Sequence, residues 1–255
     1  MLLRSLTKHV RDQNWFAVFL DFFIVVAGIL IAFQVTNWNE ERAERRAEFG
    51  YLDTLEQDTN ESLIEIAEIT AKAEIQEKAR ETLYEYSIGT RSKLDPDKAV
   101  ELIEAALWSF PSVEIRQTTF ETLQGSGRLG ILANEDLVTA LQEMAALVEE
   151  TETEKQHELY ALERFGDPLL YDHVELAKIM GKPGLTDSVV RVPWLKELPK
   201  IEEIPAVFKT LQFRNSLLMR SALTNERKAT YERMRLKYIE IGALIDDRQQ
   251  ELGVD

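Results

Sequence analysis

Gly125-Ser126-Gly127-Arg128-Leu129-Gly130 matches the G-x-G-x-x-G pattern of dinucleotide-binding turns letter for letter. In such a turn the glycines let the backbone approach a pyrophosphate at a helix N-terminus, which needs a strand before them and a helix opening at them. Here a helical segment, Phe120-Glu121-Thr122-Leu123-Gln124, precedes the glycines, and the next helix signal is Asn134. The run therefore reads as a glycine-terminated helix and a tight turn. Glu154 and His157 have the Glu-x-x-His spacing that puts two metal ligands on one helix face. A di-metal carboxylate bundle needs two such pairs and two more inward glutamates. His173 follows Leu170 at that spacing, so there is no second pair, and the surrounding run TETEKQHE reads as solvated. No G-x-S-x-G elbow is present. Cysteine is absent and the histidines are His9, His157 and His173. Thiolate nucleophiles, disulfides and Cys-based metal sites are thereby excluded. Catalytic, cofactor-binding and metal-ligating residues are all expected to be none, and no enzymatic activity is predicted.

Other polar groups stand out because of where they lie. From Trp15 to Trp38 the chain reads WFAVFLDFFIVVAGILIAFQVTNW. As a helix this run is about 36 Å long, enough to cross a hydrocarbon core of about 30 Å. Tryptophans at both ends suit the two interfaces. The run is longer than the apolar part of a signal peptide and lacks a small-x-small exit, so it reads as an uncleaved transmembrane helix. Within it Asp21 is expected near one interface and Gln34 near the other, where an ionisable or polar group is tolerated. Gly28 and Ala32 are small residues four apart on one face, a spacing that lets another helix backbone come close. Basic residues barely separate the flanks, with Arg4, Lys8 and Arg11 before the span and Arg42, Arg45 and Arg46 after it. The free amine and the short leading segment favour a cytoplasmic N-terminus, with the domain outside the cytoplasm.

The chain has 255 residues and a net charge of −15. The first 39 residues hold three basic side chains (Arg4, Lys8, Arg11) and two acidic ones (Asp12, Asp21), which leaves 27 basic and 43 acidic side chains, or −16, for the rest. A domain of that charge repels nucleic-acid phosphates, so no nucleic-acid partner is expected. The chain thus divides into a short tail (1–14), a transmembrane helix (15–38) and an acidic helical bundle domain (39–255).

The elements that carry these residues are predicted to be helices throughout. No proline interrupts the chain between Trp38 and Pro96, and Leu52, Leu55, Thr59, Leu63, Ile66, Ile69 and Ala73 recur at steps of three and four. They mark one helix leaving the span and running to about Tyr86, with Gly50 as the place for a kink. Asp95-Pro96 opens a second helix, with Asp as N-cap and Pro at the first helical position, and it is expected to stop at Phe110-Pro111. A short helix should cover about Glu114 to Gln124, and a long one should start at Asn134 and run to about Arg164. Gly166-Asp167-Pro168 is expected to break the chain, and a shorter helix should then run to about Met180. Four prolines in 181–205 predict an irregular connection, and Ser188–Val192 is too short a strand-like stretch to build a sheet. A last helix is expected from about Pro205 to Leu252, facing the core with Phe208, Leu211, Asn215, Leu218 and Leu223 and then Tyr231, Met234, Tyr238, Ile241, Leu244 and Ile245. On it Arg220, Arg227, Lys228, Arg233, Arg235 and Lys237 alternate with Glu226, Glu232 and Glu240 and read as a solvated, salt-bridged surface. The fold class is all-α: an N-terminal transmembrane helix continuing into a bundle of long antiparallel helices.

The end of the apolar run and the charged residues just after it, Gly28-Ile29-Leu30-Ile31-Ala32-Phe33-Gln34-Val35-Thr36-Asn37-Trp38-Asn39-Glu40-Glu41-Arg42, resemble a family of uncharacterised bacterial single-pass membrane proteins. Their anchor reads G-I-L-I-A-x-Q-x-x-N-W-N-E-x-R and leads into a helical domain. Thr119–Asn134 is similar to that family's T-[YF]-x-x-L-x-x-S-G-x-L-x-x-I-x-N pattern, and the Phe213-Arg214-Asn215 helix also resembles it. Where the family usually has Glu, this chain has Asp21. The resemblance implies topology and fold and carries no activity with it. It also implies that Ser126-Gly127 is a family loop and not a nucleotide site.

These readings converge on a membrane-anchored helical protein of the bacterial inner membrane, acting by interaction or scaffolding at the membrane surface. Its expected partners are the lipid bilayer and either further copies of itself or another membrane protein, and no cofactor is expected. The alternative is an extracytoplasmic ligand-sensing bundle that signals through a partner.

Overall fold

The computed structural model describes residues 15–109, 115–180, 194 and 200–253. Among these there is no strand. Helix α1 spans Trp15–Ile88, and Gly50 lies within it. The chain divides into two compact units, one ending at Tyr51 and one beginning at Leu52. In the first unit α1 leaves its apolar side chains uncovered: Phe22, Phe23, Ile24, Val25, Leu30, Ile31 and Phe33 are each 59–66% exposed.

The second unit is built on three long helices: the part of α1 from Leu52, α4 (Glu135–Ala161) and α7 (Leu211–Leu252). Between them come α2 (Pro96–Ile103), α3 (Thr118–Gly125), α5 (Asp167–His173) and α6 (Leu176–Met180). Their starts obey the cap signals. Asp95 accepts from Lys98 N with Pro96 in the first turn, Asn134 accepts from Leu137 N, and Thr210 accepts from Phe213 N. Each side-chain oxygen satisfies one of the N–H groups that a helix start leaves without an intrahelical partner. α3 starts at Thr118, later than the sequence suggests, where Thr119 N donates to Asp58 Oδ2 of α1 at 3.1 Å.

Two boundaries differ for a shared reason. α2 does not run on as α-helix but widens over Glu104–Trp108, where Ser109 N–H donates to Glu104 O, five residues back, at 2.7 Å. Gly166-Asp167-Pro168 does not break the chain; a second wide turn, Leu162–Gly166, carries α4 into α5. Such a π-turn absorbs one extra residue, which leaves room for a proline without an intrahelical N–H. Gly166 suits it, because a Cβ there would come within 2.8 Å of Leu162 Cδ1. α7 begins at Leu211, after a 3₁₀ turn over Ala206–Lys209, and not at Pro205. Most of the proline-rich stretch 181–205, including Ser188–Val192, lies outside the described residues, as do the tail 1–14, Phe110-Pro111 and Glu114.

The buried positions of the long helices follow a 3.5-residue repeat. On α1 it runs through Leu52, Leu55, Thr59, Ser62, Ile66, Ile69, Ala73, Gln76, Arg80, Leu83 and Ser87, with Ala79 buried beside it. On α7 it runs through Phe213, Leu217, Arg220, Thr224, Arg227, Tyr231, Met234, Tyr238, Ile241 and Ile245, with Ser216 and Thr230 buried beside it. Steps alternating between three and four keep a single face turned inward, as in a coiled coil. The expected face of α7 needs correction at its start: Leu211 and Leu218 are 64% and 51% exposed and Asn215 is exposed, while Phe213 and Leu217 are buried. Phe213 stacks on Phe208 with ring centroids 4.6 Å apart, and this pair pins the phase of the helix. α7 runs antiparallel to α4, since Glu143, Glu150 and Glu158 meet Lys237, Arg233 and Arg227 in reverse order.

Candidate functional site

Four charged side chains lie in the middle of the bundle, each no more than 2% exposed: Arg80 on α1, Glu158 on α4, and Arg220 and Arg227 on α7. Arg80, Arg220 and Arg227 fall on the inward-facing repeats of α1 and α7, which is why the fold buries them. Arg220 Nη1 is 2.8 Å from Glu158 Oε1, and Arg227 Nη1 is 2.6 Å from Glu158 Oε2, so one carboxylate is shared by two guanidiniums. Thr224 Oγ1 donates to the same carboxylate at 3.2 Å. Arg80 donates from Nε to Glu77 Oε2 at 3.1 Å, and Glu77 also accepts from Ser221 Oγ at 2.8 Å.

The remaining positive charge meets a helix end. Arg80 Nη1 donates to Ala106 O at 3.2 Å, while Arg220 Nη2 and Gln76 Nε2 donate to Ser109 O at 3.1 and 2.8 Å. Ala106 lies in the wide turn that ends α2, and Ser109 is the residue just after it. The last carbonyls of a helix lack intrahelical donors and carry the negative end of its dipole. Here buried side chains from α1 and α7 act as the C-cap. Burial holds the Arg80 guanidinium below its ordinary pKa, and it pushes Arg220 down to about 10 although Glu158 opposes the shift. Such a layer organises helices, but it offers neither a nucleophile nor a free base.

Burial also pushes the phenols of Tyr231 and Tyr238 up to about 12. The folded state keeps these protons while the unfolded chain releases them near pH 10, so these groups lower stability as pH rises from about 10 to about 12. Arg80 and Arg220, held low by burial, act in the opposite sense, so the phenols are best read by their own titration. An absorbance titration of the folded protein should find two tyrosines still protonated at pH about 11. Complete tyrosine ionisation by that pH would contradict the buried environment described.

The residues singled out in the sequence lie elsewhere. Asp21, Gly28, Ala32 and Gln34 are exposed positions on the apolar part of α1. Gly28 and Ala32 share a face, and a Cβ at Gly28 would have no neighbour within 4 Å. Thr36 Oγ1 donates to Ala32 O at 3.0 Å. The glycine run is a helix end. Gly127 has φ of 68°, Gly127 N donates to Gln124 O, and Arg128 N donates to Leu123 O. These paired bonds close α3 as a Schellman motif. Gly127→Ala should therefore destabilise the bundle by about 1–2 kcal/mol, read as a lower urea midpoint; no change would show that this turn tolerates a side chain. Glu154 accepts from Thr230 Oγ1 at 2.7 Å, while His157 is exposed. Among the described residues no group of three or more His, Asp or Glu could hold a metal ion.

Two surface readings are corrected. Arg220 and Arg227 are buried, whereas Arg233, Arg235 and Lys237 do pair at the surface, with Glu150, Glu232 and Glu143. Glu158, at the end of the run read as solvated, is 1% exposed. The signal was available in the spacing. Steps of three and four from Phe213 to Ile245 pass through Arg220, Thr224 and Arg227, and those from Leu52 to Leu83 pass through Gln76 and Arg80.

The fold and this layer define a helical bundle with a long apolar leading helix. The profile of a family of unknown function, DUF6090, matches residues 21–140, just under half of the chain. The matched part holds most of the apolar segment and the Ser126-Gly127 loop. No curated protein matches the chain, and no solved structure does.

Proposed function

We propose that this is a single-pass protein of the bacterial inner membrane, with its N-terminus in the cytoplasm and an acidic helical bundle outside it, acting by interaction or scaffolding and not by catalysis. The observation that carries the reading is the uncovered apolar run of α1. The helix is long and apolar enough to cross a membrane, and none of its most apolar window is buried by the rest of the chain. So large an exposed apolar surface calls for cover, and a bilayer supplies it. Gly28 and Ala32 supply a face on which a second transmembrane helix could pack.

In-membrane crosslinking of the full chain followed by mass spectrometry tests the reading. Links between copies that disappear in Gly28→Leu would support self-association through the small-residue face. Links to one recurring foreign membrane protein would make the chain an accessory subunit. Absence of any link between chains would overturn the interaction reading.

A further inference from the structure

A 3.5-residue apolar seam cannot by itself say how far one helix has slid along another. Apolar burial is non-directional, and a shift of seven residues brings one inward face onto the next. For α7 such a shift is about 10 Å. Thirty residues of chain separate Met180 from Leu211, so no tight turn ties α7 to α6. The pairs at the surface, such as Arg233 with Glu150 and Lys237 with Glu143, are solvent-exposed ion pairs of little weight.

The charged layer is different, because its contacts are directional and buried. It lies between two apolar stretches. On one side Ala79, Leu83, Ile103, Leu107, Leu170, Phe208, Phe213 and Leu217 form one cluster, and on the other Met234, Tyr238, Ile241 and Ile245 continue the seam of α7. We propose that Arg80, Glu158, Arg220 and Arg227 form a register lock, which selects one of the heptad-equivalent positions of α7 against α1 and α4. Arg220 and Arg227 are one heptad apart, so a slide of seven residues would put one of them in the other's place beside Glu158 and set the second, without its carboxylate, where Phe213 or Met234 now packs. A buried charge parted from its partner is strongly unfavourable, while a whole ionic layer can be replaced by apolar residues of similar volume with little loss or some gain of stability.

The chain has no cysteine, so thiol bridging can read the register directly. Glu150→Cys with Arg233→Cys reports the native position, where the two side chains are 2.6 Å apart. Glu150→Cys with Glu226→Cys, or with Glu240→Cys, reports a slide of one heptad in either direction. These sites are exposed and lie outside the layer. In the full chain in detergent, a short thiol-bridging reagent should close only the native pair. In the background Arg80→Met, Glu158→Met, Arg220→Met, Arg227→Met, a displaced pair should bridge about tenfold more than in the native background, as the charge penalty is lifted. Native-only bridging in that background would overturn the lock, and so would displaced bridging with the layer intact. Failure of the fourfold variant to fold would overturn it too, because a layer that serves register alone is replaceable by apolar side chains.

Discussion

Glu158→Gln is expected to destabilise the bundle by about 3–5 kcal/mol, the usual loss when one partner of a buried ion pair is removed. Glu158 is the buried carboxylate that both Arg220 and Arg227 approach within 3 Å. Glutamine keeps the shape but removes the charge, and its amide turns two donors toward guanidiniums that have no acceptor to offer. Arg220 stays charged near neutral pH, since even its lowered value is about 10. For a unit of this size the loss corresponds to a fall in Tm of about 10 °C. Urea and thermal unfolding followed by circular dichroism measure it. A change of under 1 kcal/mol would show that Glu158 does not hold an ionised layer together. The fourfold methionine variant should move stability in the other direction or not at all, so the two experiments together separate the loss of a partner from the loss of the layer.

Full-length protein should stay with membranes through alkaline carbonate extraction, and Ala27→Arg with Leu30→Arg should release most of it. Both positions lie near the middle of the apolar run, where one arginine costs about 2.5–3.5 kcal/mol on insertion scales. Two together, at about 5–7 kcal/mol, offset much of what a span of this length gains. Both positions belong to the first compact unit and not to the one that begins at Leu52, and Leu30 is 60% exposed. The bundle itself should therefore keep its unfolding transition in the released protein. Native chain recovered in the carbonate supernatant would sink the anchor, and the exposed apolar surface would then need a protein cover.

What was legible in the sequence came from local rules. Asp95, Asn134 and the Gly127 turn could be placed because caps and left-handed turns depend on residues within one helical turn. The apolar side of α1 was legible for the same reason, as Leu52, Leu55, Ile66 and Ile69 repeat on one face. The reading of α7 was partly wrong because it tracked hydrophobicity through Leu211 and Leu218 and skipped the polar seam positions. Only the stacking of Phe213 on Phe208 sets the phase there.

The sequence by itself determined the all-α class, the long apolar segment and the absence of cysteine chemistry, because length, composition and short-range periodicity suffice for these. The tertiary structure decided which of the possible faces of α7 is interior, and with it which charges are buried. Arg220, Arg227, Arg233 and Lys237 are chemically alike and close in sequence, and their fate depends on which face of α7 meets α1 and α4. That choice joins Glu158, Arg80 and the Ser109 carbonyl from three distant parts of the chain. Contacts across such separations are set by packing, and no local pattern encodes them.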